Sequence, residues 1–317
     1  MYDVAALGEL LIDFTCLSTD TDGYPTMAAH PGGAPANYLA ALTKFGAKTA
    51  MIGKVGNDAF GRLLIKTLKG TGIDTRGMLV SDDVFTTLAF VTLDDSGDRE
   101  FSFARKPGAD TQLRFDEIDL GVIDASKVLH FGTLSMTNEP ARDATYKAVE
   151  YAAGRGKLIS FDPNLRKPLW NDLDEAKRQM LWGLRHADVV KISDEETEFL
   201  FSLAPEESAK HIIDSFGVRL VYVTCGAEGC FYRTKTASGF VKALSGIAVK
   251  DTTGAGDIFG GSAMYGLLRA GGVPEKLTAE ELENIVSFAC ASAGLSTTKA
   301  GGILSVTELG EVEAAMK

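Results

Sequence analysis

From about residue 120 onward the chain alternates short apolar runs with longer segments whose apolar positions recur at helical spacing. Val128–Phe131, Leu158–Asp162, Asp188–Ile192 and Leu220–Thr224 have the length and apolar content of strands, and Pro140–Ala153 and Leu173–Leu184 between them read as helices. Strand–helix alternation of this kind predicts an α/β fold, a parallel sheet with helices on its faces. Earlier in the chain the rhythm breaks. Thr86–Leu93 and Arg99–Arg105 are alternating or β-rich runs joined by Asp94-Asp95-Ser96-Gly97-Asp98, which predicts a β-hairpin. Period-two spacing puts Phe101, Phe103 and Arg105 on one face of it, either the packed side of a surface excursion or the ligand-facing side of a small lid. No internal repeat, low-complexity tract or linker is visible, so residues 1–317 are expected to form one domain.

Composition changes this picture little, since 45% hydrophobic and 24% charged residues are ordinary for a globular protein. The formal net charge of -11 matters more. It argues against nucleic acid or a membrane surface as partner, both of which need clustered Lys and Arg. It leaves room for an anionic ligand, because backbone N–H groups can hold a phosphate locally within an acidic protein. The four cysteines, Cys16, Cys225, Cys230 and Cys290, and the four histidines, His30, His130, His186 and His211, show no zinc spacing, which suits thiols in a reducing compartment. Met1–Ala5 runs straight into a strand-like segment without a basic stretch and apolar core, and no apolar run is long enough to span a bilayer, so a cytoplasmic location is expected.

Chemistry concentrates in a few glycine-rich segments. Asp251-Thr252-Thr253-Gly254-Ala255-Gly256-Asp257 leads into a small-residue apolar run. Glycines at a helix start leave N–H groups unpaired at the positive end of the helix dipole, an anion cradle. Asp257 then sits at its mouth, where a carboxylate is unfavourable beside phosphate unless it accepts a proton from an attacking hydroxyl. The alternative is a glycine-rich loop whose Asp simply favours the helix N-terminus. A dinucleotide fingerprint is a poorer match, because Gly254-x-Gly256 falls late in the chain and Ala270–Pro274, about twenty residues on, is a turn without an acid. No G-x-x-x-x-G-K-[ST] occurs. Pro31-Gly32-Gly33-Ala34-Pro35-Ala36-Asn37 opens a helix expected to stop at Phe45-Gly46, with glycines for close backbone approach and Asn37 as donor and acceptor for a polyol, or as part of a plain helix cap. Asp162-Pro163-Asn164-Leu165-Arg166 follows a strand and should emerge at the carboxyl edge of the sheet, where open α/β sheets bind ligands, or is a plain connecting loop; Thr224-Cys225-Gly226-Ala227-Glu228-Gly229 ends a strand with two glycines that allow a nucleotide to pass close by.

Taken in order, these segments resemble the ribokinase-like (PfkB-type) carbohydrate kinases, on the Gly32-Gly33 segment with Asn37 near the N-terminus and the D-T-x-G-A-G-D segment at residues 251–257. The resemblance implies a three-layer αβα sandwich with a mostly parallel sheet and a β-sheet lid from about 14–31 and 84–111. It implies Asp257 as catalytic base, with the amides of Gly254, Ala255 and Gly256 as anion hole and Arg166 near sugar and phosphate. Asp13, Gly32, Gly33, Asn37, Phe103, Arg105 and Asn164 are the implied sugar ligands, with Arg105 folding over the sugar. Lys191, Glu196, Thr224, Gly226 and Gly229 are the implied nucleotide positions. Asp251 and Thr253, with carbonyls around Ala300, match a monovalent-cation site, K⁺ being expected, and Glu196 would organise hydrated Mg²⁺. Relatives often carry N-x-x-E where this chain reads Ser193-Asp194-Glu195-Glu196. Phe103-Ala104-Arg105-Lys106-Pro107-Gly108-Ala109-Asp110 is most similar to bacterial fructokinases, which implies ATP and fructose as substrates, with 2-keto-3-deoxygluconate kinases close by. An exposed lid edge suits a homodimer.

Overall fold

Strand formation follows the apolar runs, and the register between runs decides where their polar ends emerge. The computed structural model describes residues 1–93 and 99–317; the turn expected at Asp94–Asp98 and the direction of the Phe101 side chain lie outside the described residues. Thirteen strands are found among the described residues: β1 (Tyr2–Leu7), β2 (Leu11–Thr19), β3 (Pro25–Gly32), β4 (Thr49–Gly56), β5 (Asp74–Ser81), β6 (Leu88–Leu93), β7 (Arg99–Ala104), β8 (Ser126–Gly132), β9 (Leu158–Asp162), β10 (Val189–Ser193), β11 (Leu220–Thr224), β12 (Gly229–Arg233) and β13 (Ser238–Lys242). Nine form one sheet in the order β13-β12-β11-β10-β9-β8-β1-β4-β5, parallel throughout except for the pairs β11–β12 and β12–β13. The chain leaves β1 for β4 and β5 on one side and later fills the other side from β8 outward. The carboxyl end of β1 is therefore a topological switch point, the place where such sheets open a crevice.

Two apolar cores, one on each face, make the structure three layers deep. On one face Leu39, Leu42, Phe259, Ala263 and Val286 come from helices Ala34–Lys44, Ala255–Arg269 and Ala279–Ser296; on the other Ala148, Met180 and Ile212 come from helices Ala141–Gly154, Leu173–His186 and Pro205–Phe216. The strands read from sequence at Leu158–Asp162 and Leu220–Thr224 have those limits in the structure. Asp188 drops out of its expected strand because its carboxylate accepts the Ile159 N–H at 2.8 Å and its carbonyl accepts Arg219 N–H, which makes it a junction rather than a rung.

The remaining four strands form a second sheet, β3-β2-β6-β7, with β2 and β6 parallel and antiparallel hairpins on either side. Phe14 on β2 stacks on Phe90 of β6 and meets Phe60 of helix Ala59–Thr71 edge-on, so an aromatic seam fastens this sheet to the main body. No helix among the described residues is long and apolar enough to cross a membrane.

Candidate active site

Two helices with glycine at their N-caps converge at the sheet's carboxyl edge. Helix Ala34–Lys44 starts at Gly33, whose φ of 120° and 2.5 Å clearance between a built Cβ and Glu9 O exclude any side chain. Helix Ala255–Arg269 starts at Gly254, left-handed at φ 76°, where a Cβ would lie 2.9 Å from Asn37 Nδ2 and 3.0 Å from Gly302 Cα. Each helix start is thus shaped by the other, and Asn37 is the contact between them.

Asp257, in the first turn of the second helix, is 7% exposed. Its Oδ2 accepts from Asn37 Nδ2 at 2.9 Å, and Asn164 Nδ2 lies 3.4 Å from Oδ1. Burial pushes its carboxyl above the usual carboxylate range, Glu196 adds to this, and the Asn37 hydrogen bond, Lys191 and Arg166 oppose it. That balance suits a base that must take a proton near neutral pH. Asn164 is held at φ 46°, a conformation few non-glycine residues adopt, with its N–H donating to Asp162 Oδ1 at 3.1 Å. The local bond turns the chain sharply after β9 and aims the amide at Asp257.

Lys191 on β10 reaches Asp162 Oδ2 at 3.1 Å, and a Cβ at Gly256 would stand 3.0 Å from its Nζ, so its ammonium lies against the start of helix Ala255–Arg269. Burial works against that charge, but Asp162, Glu196 and Asp257 outweigh it and hold Lys191 protonated. Glu196 accepts Leu165 N–H at 2.7 Å with one oxygen and Ser193 N–H at 2.8 Å with the other, while Ser193 Oγ accepts Glu196 N–H at 3.2 Å. Ser193 and Glu196 form a reciprocal cap on helix Asp194–Phe201, which accounts for a serine at this position. Next door, Thr224 ends β11 paired with Ser193, Gly226 is left-handed at φ 53°, and a Cβ at Gly229 would overlap Val241 O. Asp251 accepts Thr253 N–H (2.9 Å), Thr253 Oγ1–H (2.7 Å) and Gly301 N–H (2.9 Å), tying loop 251–254 to the turn that carries the exposed Ala300.

A cavity of about 230 Å³ opens between the two sheets. Asp13, Gly33, Asn37, Phe103, Asn164, Arg166, Gly254 and Asp257 all line it. Gly32 lies just behind, where a Cβ would overlap Asp13 Oδ2. Burial pushes the Asp13 carboxyl up to about 7, with Arg166 opposing and Asp257 and Asp251 adding. Asn37 Oδ1 is buried without a hydrogen-bond partner among the described residues. Lys191, Glu196, Thr224, Gly226 and Gly229 stand beyond Asp257, along β10–β12.

Arg105 requires a correction. It does not line the cavity; it is 6% exposed, and its guanidinium meets Asp110 Oδ2 (2.7 and 2.9 Å), Thr137 Oγ1 (2.7 Å) and Leu134 O (2.9 Å). The period-two expectation fails because β7 ends at Ala104, so Arg105 leaves the pleat and is captured by Asp110 from the following turn. Sequence reasoning also missed Glu9, which lines the cavity with 3% exposure. The signal was present: an acid directly after a first strand and a glycine.

A buried acid at a glycine-led helix start, flanked by amide donors and a buried lysine and roofed by a small sheet, is the equipment of an α/β phosphotransferase acting on a hydroxyl. The chain belongs to the pfkB family of carbohydrate kinases, whose model matches residues 1–309. It is 40% identical to probable fructokinase-4 of Arabidopsis thaliana over 318 residues, covering 99% of this chain and 96% of the relative, and 40% identical to fructokinase-2 of Solanum lycopersicum with the same coverage. Among solved structures it is similar to the ATP-bound fructokinase of Xylella fastidiosa, with a TM-score of 0.91 at 29% identity over 100% and 98% of the two chains. It is also similar to a double mutant of the Vibrio cholerae O395 fructokinase with fructose, ADP and potassium ion bound, with a TM-score of 0.87 at 30% identity over 100% and 99%.

Proposed function

We propose that this kinase transfers the γ-phosphate of ATP to the 6-hydroxyl of fructose. The observation that carries the reading is the shared cavity: Asp257, held by Asn37, looks into the same space as Asp13, Asn164 and Arg166. Asp13 and Asp257 bring two carboxylate acceptors to that space, which suits a neutral polyol rich in hydroxyl donors. Sugar acids such as 2-keto-3-deoxygluconate would meet like charge there, and with Arg105 committed elsewhere Arg166 is left to answer it. The relatives at 40% identity bear fructokinase names, which favours the same sugar.

In the reaction, Asn37 and Asn164 orient Asp257 so that its carboxylate takes the proton of the attacking hydroxyl. The first-turn amides at Gly254–Gly256 and the ammonium of Lys191 face developing charge on the phosphoryl oxygens. Thr224, Gly226 and Gly229 border the nucleotide. When bound, Mg²⁺ neutralises the nucleotide phosphates. Both oxygens of Glu196 already accept backbone N–H groups, so this residue fits a role of holding metal-bound water through its remaining lone pairs. The Asp251 carboxylate braces two loops whose carbonyls suit a monovalent cation such as K⁺. Leu17 and Tyr24, 67% and 70% exposed on the small sheet and its turn, favour a homodimer formed through that sheet, which sedimentation would test.

Release of ADP measured across a panel of sugars, with and without K⁺, tests the reading. Fructose should be the preferred acceptor, and Asp257→Asn should lower turnover by about 10² to 10⁴ while ATP binding persists. Near-normal turnover in that variant would remove Asp257 from the role, and sugar binding without ADP release would make the protein a sensor.

A further inference from the structure

The helix that carries Asn37 begins without a cap of its own. Gly33, its N-cap residue, has no side chain to offer, and the first turn holds no acid. The missing acceptor comes from another part of the chain: Glu9 Oε1 accepts the Ala34 N–H at 2.8 Å. Glu9 lies two residues beyond β1, at the switch point of the sheet, and its carboxylate also faces its own backbone N–H. Backbone fit locks the same junction twice more. The Glu9 carbonyl lies 2.5 Å from where a Gly33 Cβ would be, and the side chain of Pro35 lies 2.7 Å from where a Gly8 Cβ would be. Burying a carboxylate here is costly, and burial pushes it up to about 7 against the two N–H groups that favour its charge. Apolar or amide side chains would be cheaper to bury, so a carboxylate at this position points to a task.

We infer that Glu9 is a positioning residue for the phosphoryl-transfer reaction: it anchors the first turn of helix Ala34–Lys44, and through that turn it fixes Asn37 against the catalytic carboxylate of Asp257. This rests on the reading of the protein as a sugar kinase with Asp257 as base. Its physical content is a chain of three contacts, Glu9 to Ala34 N–H, Ala34 to Asn37 within one helical turn, and Asn37 Nδ2 to Asp257 Oδ2 at 2.9 Å. Negative charge at a helix start also favours the helix dipole, so Glu9 supplies both an acceptor and a field. Loosening the turn should disturb the sugar end of the site and leave the nucleotide loops along β10–β12 alone.

The test compares wild type with Glu9→Ala and Glu9→Gln. Glu9→Ala should raise the KM for fructose by about tenfold and lower kcat, with the KM for ATP within about twofold of wild type, because a lost cap is an effect of this order confined to one turn. Glu9→Gln keeps a carbonyl acceptor for Ala34 N–H and should stay within about threefold of wild type. Crystal structures of the two variants give a readout independent of turnover. In Glu9→Ala the first turn should shift and the Asn37–Asp257 bond lengthen beyond hydrogen-bonding distance, and in Glu9→Gln both should hold. An unmoved first turn in Glu9→Ala, or a glutamine variant as impaired as the alanine one, overturns the inference. Wild type that turns over no sugar overturns the functional reading instead, and the structural comparison still decides the role of Glu9.

Discussion

Asn37 Nδ2 lies 2.9 Å from Asp257 Oδ2, a bond across 220 positions of sequence that joins the first helix of the chain to helix Ala255–Arg269. The bond favours the charged form of a carboxylate that burial otherwise drives toward neutrality. Removing it in Asn37→Ala should therefore raise the Asp257 pKa. On the proposed role of Asp257 as base, which must be deprotonated to act, the acid limb of the kcat/KM profile for sugar should move to higher pH by about one unit or more, the worth of a hydrogen bond to a charged group. An unshifted limb would separate Asn37 from the base.

Acids crowded into one cavity cost stability. Asp13 and Glu9 are both pushed up to about 7, chiefly by burial. The folded protein then keeps protons that the unfolded chain gives up from about pH 4 upward, so stability falls as pH rises from about 4 to about 7 and the penalty stays constant above that. Asp13→Asn should melt higher than wild type at pH 8, and the gap should close toward pH 4. Thermal melts of both proteins across that range check the sign; a gap that widens on acidification would contradict it. The same variant should lose sugar affinity, the usual exchange between stability and a functional site.

Arg105 and Asp110 form an ion pair with side chains 3% and 1% exposed, and Thr137 and Leu134 O complete the guanidinium's partners. Breaking a pair so deeply buried leaves an unpaired charge and costs about 3–5 kcal/mol. Arg105→Ala should thus lower the denaturation midpoint strongly, and Asp110→Ala should do the same. A direct sugar ligand would behave differently, with an unchanged midpoint and a raised sugar KM, so equilibrium unfolding beside kinetics distinguishes the two.

What could be read from the chain beforehand follows from the range of the forces involved. The strands Leu158–Asp162 and Leu220–Thr224 are local, apolar and buried by neighbours on both sides, so their composition alone fixes them. Asp257, Asn37, Asn164 and Arg166 were legible because glycines and strand ends mark them in the sequence, and the structure brings these four into one cavity. Glu9 carries only a weak local mark, an acid after the first strand and a glycine; its task is not legible there, since the N–H it caps lies 25 residues away and only the sheet order puts the two together. Arg105 was misread for the opposite reason: its local pattern suggested a strand face, while a tertiary partner, Thr137, and a turn residue, Asp110, decided its direction.

Ser193 offers a test of a departure from the family's more usual asparagine. Its hydroxyl caps Glu196 N–H, a task asparagine performs equally well at a helix N-terminus. Ser193→Asn should leave stability and turnover nearly unchanged. Ser193→Ala should cost about 1 kcal/mol and loosen Glu196, because the cap is reciprocal. Titrating Mg²⁺ into both variants would show the link, with the alanine variant needing more metal for half-maximal rate and the asparagine variant matching wild type.

Gly32 makes the sharpest steric claim. A Cβ at this position would overlap Asp13 Oδ2, and the neighbouring backbone leaves little room for the strand to yield, because β3 pairs with β2 from Leu11↔Gly32 onward. In Gly32→Ala the cheapest relief is rotation of the Asp13 carboxylate away from the cavity, which relaxes the clash and removes a hydroxyl acceptor from the sugar site. Fructose KM should rise steeply while ATP KM and the melting temperature change little, since the relief is a side-chain rotation and the next neighbour of the added carbon, Leu11 Cδ1, stands at an ordinary 3.7 Å. Gly183→Ala supplies the contrast: its Cβ would overlap the Phe161 ring in the core, so it should lower stability by about 1–3 kcal/mol with sugar KM preserved. If Gly32→Ala instead melted early with an ordinary sugar KM, the glycine would be serving the strand rather than the aspartate, and Asp13 would lose its place among the sugar ligands.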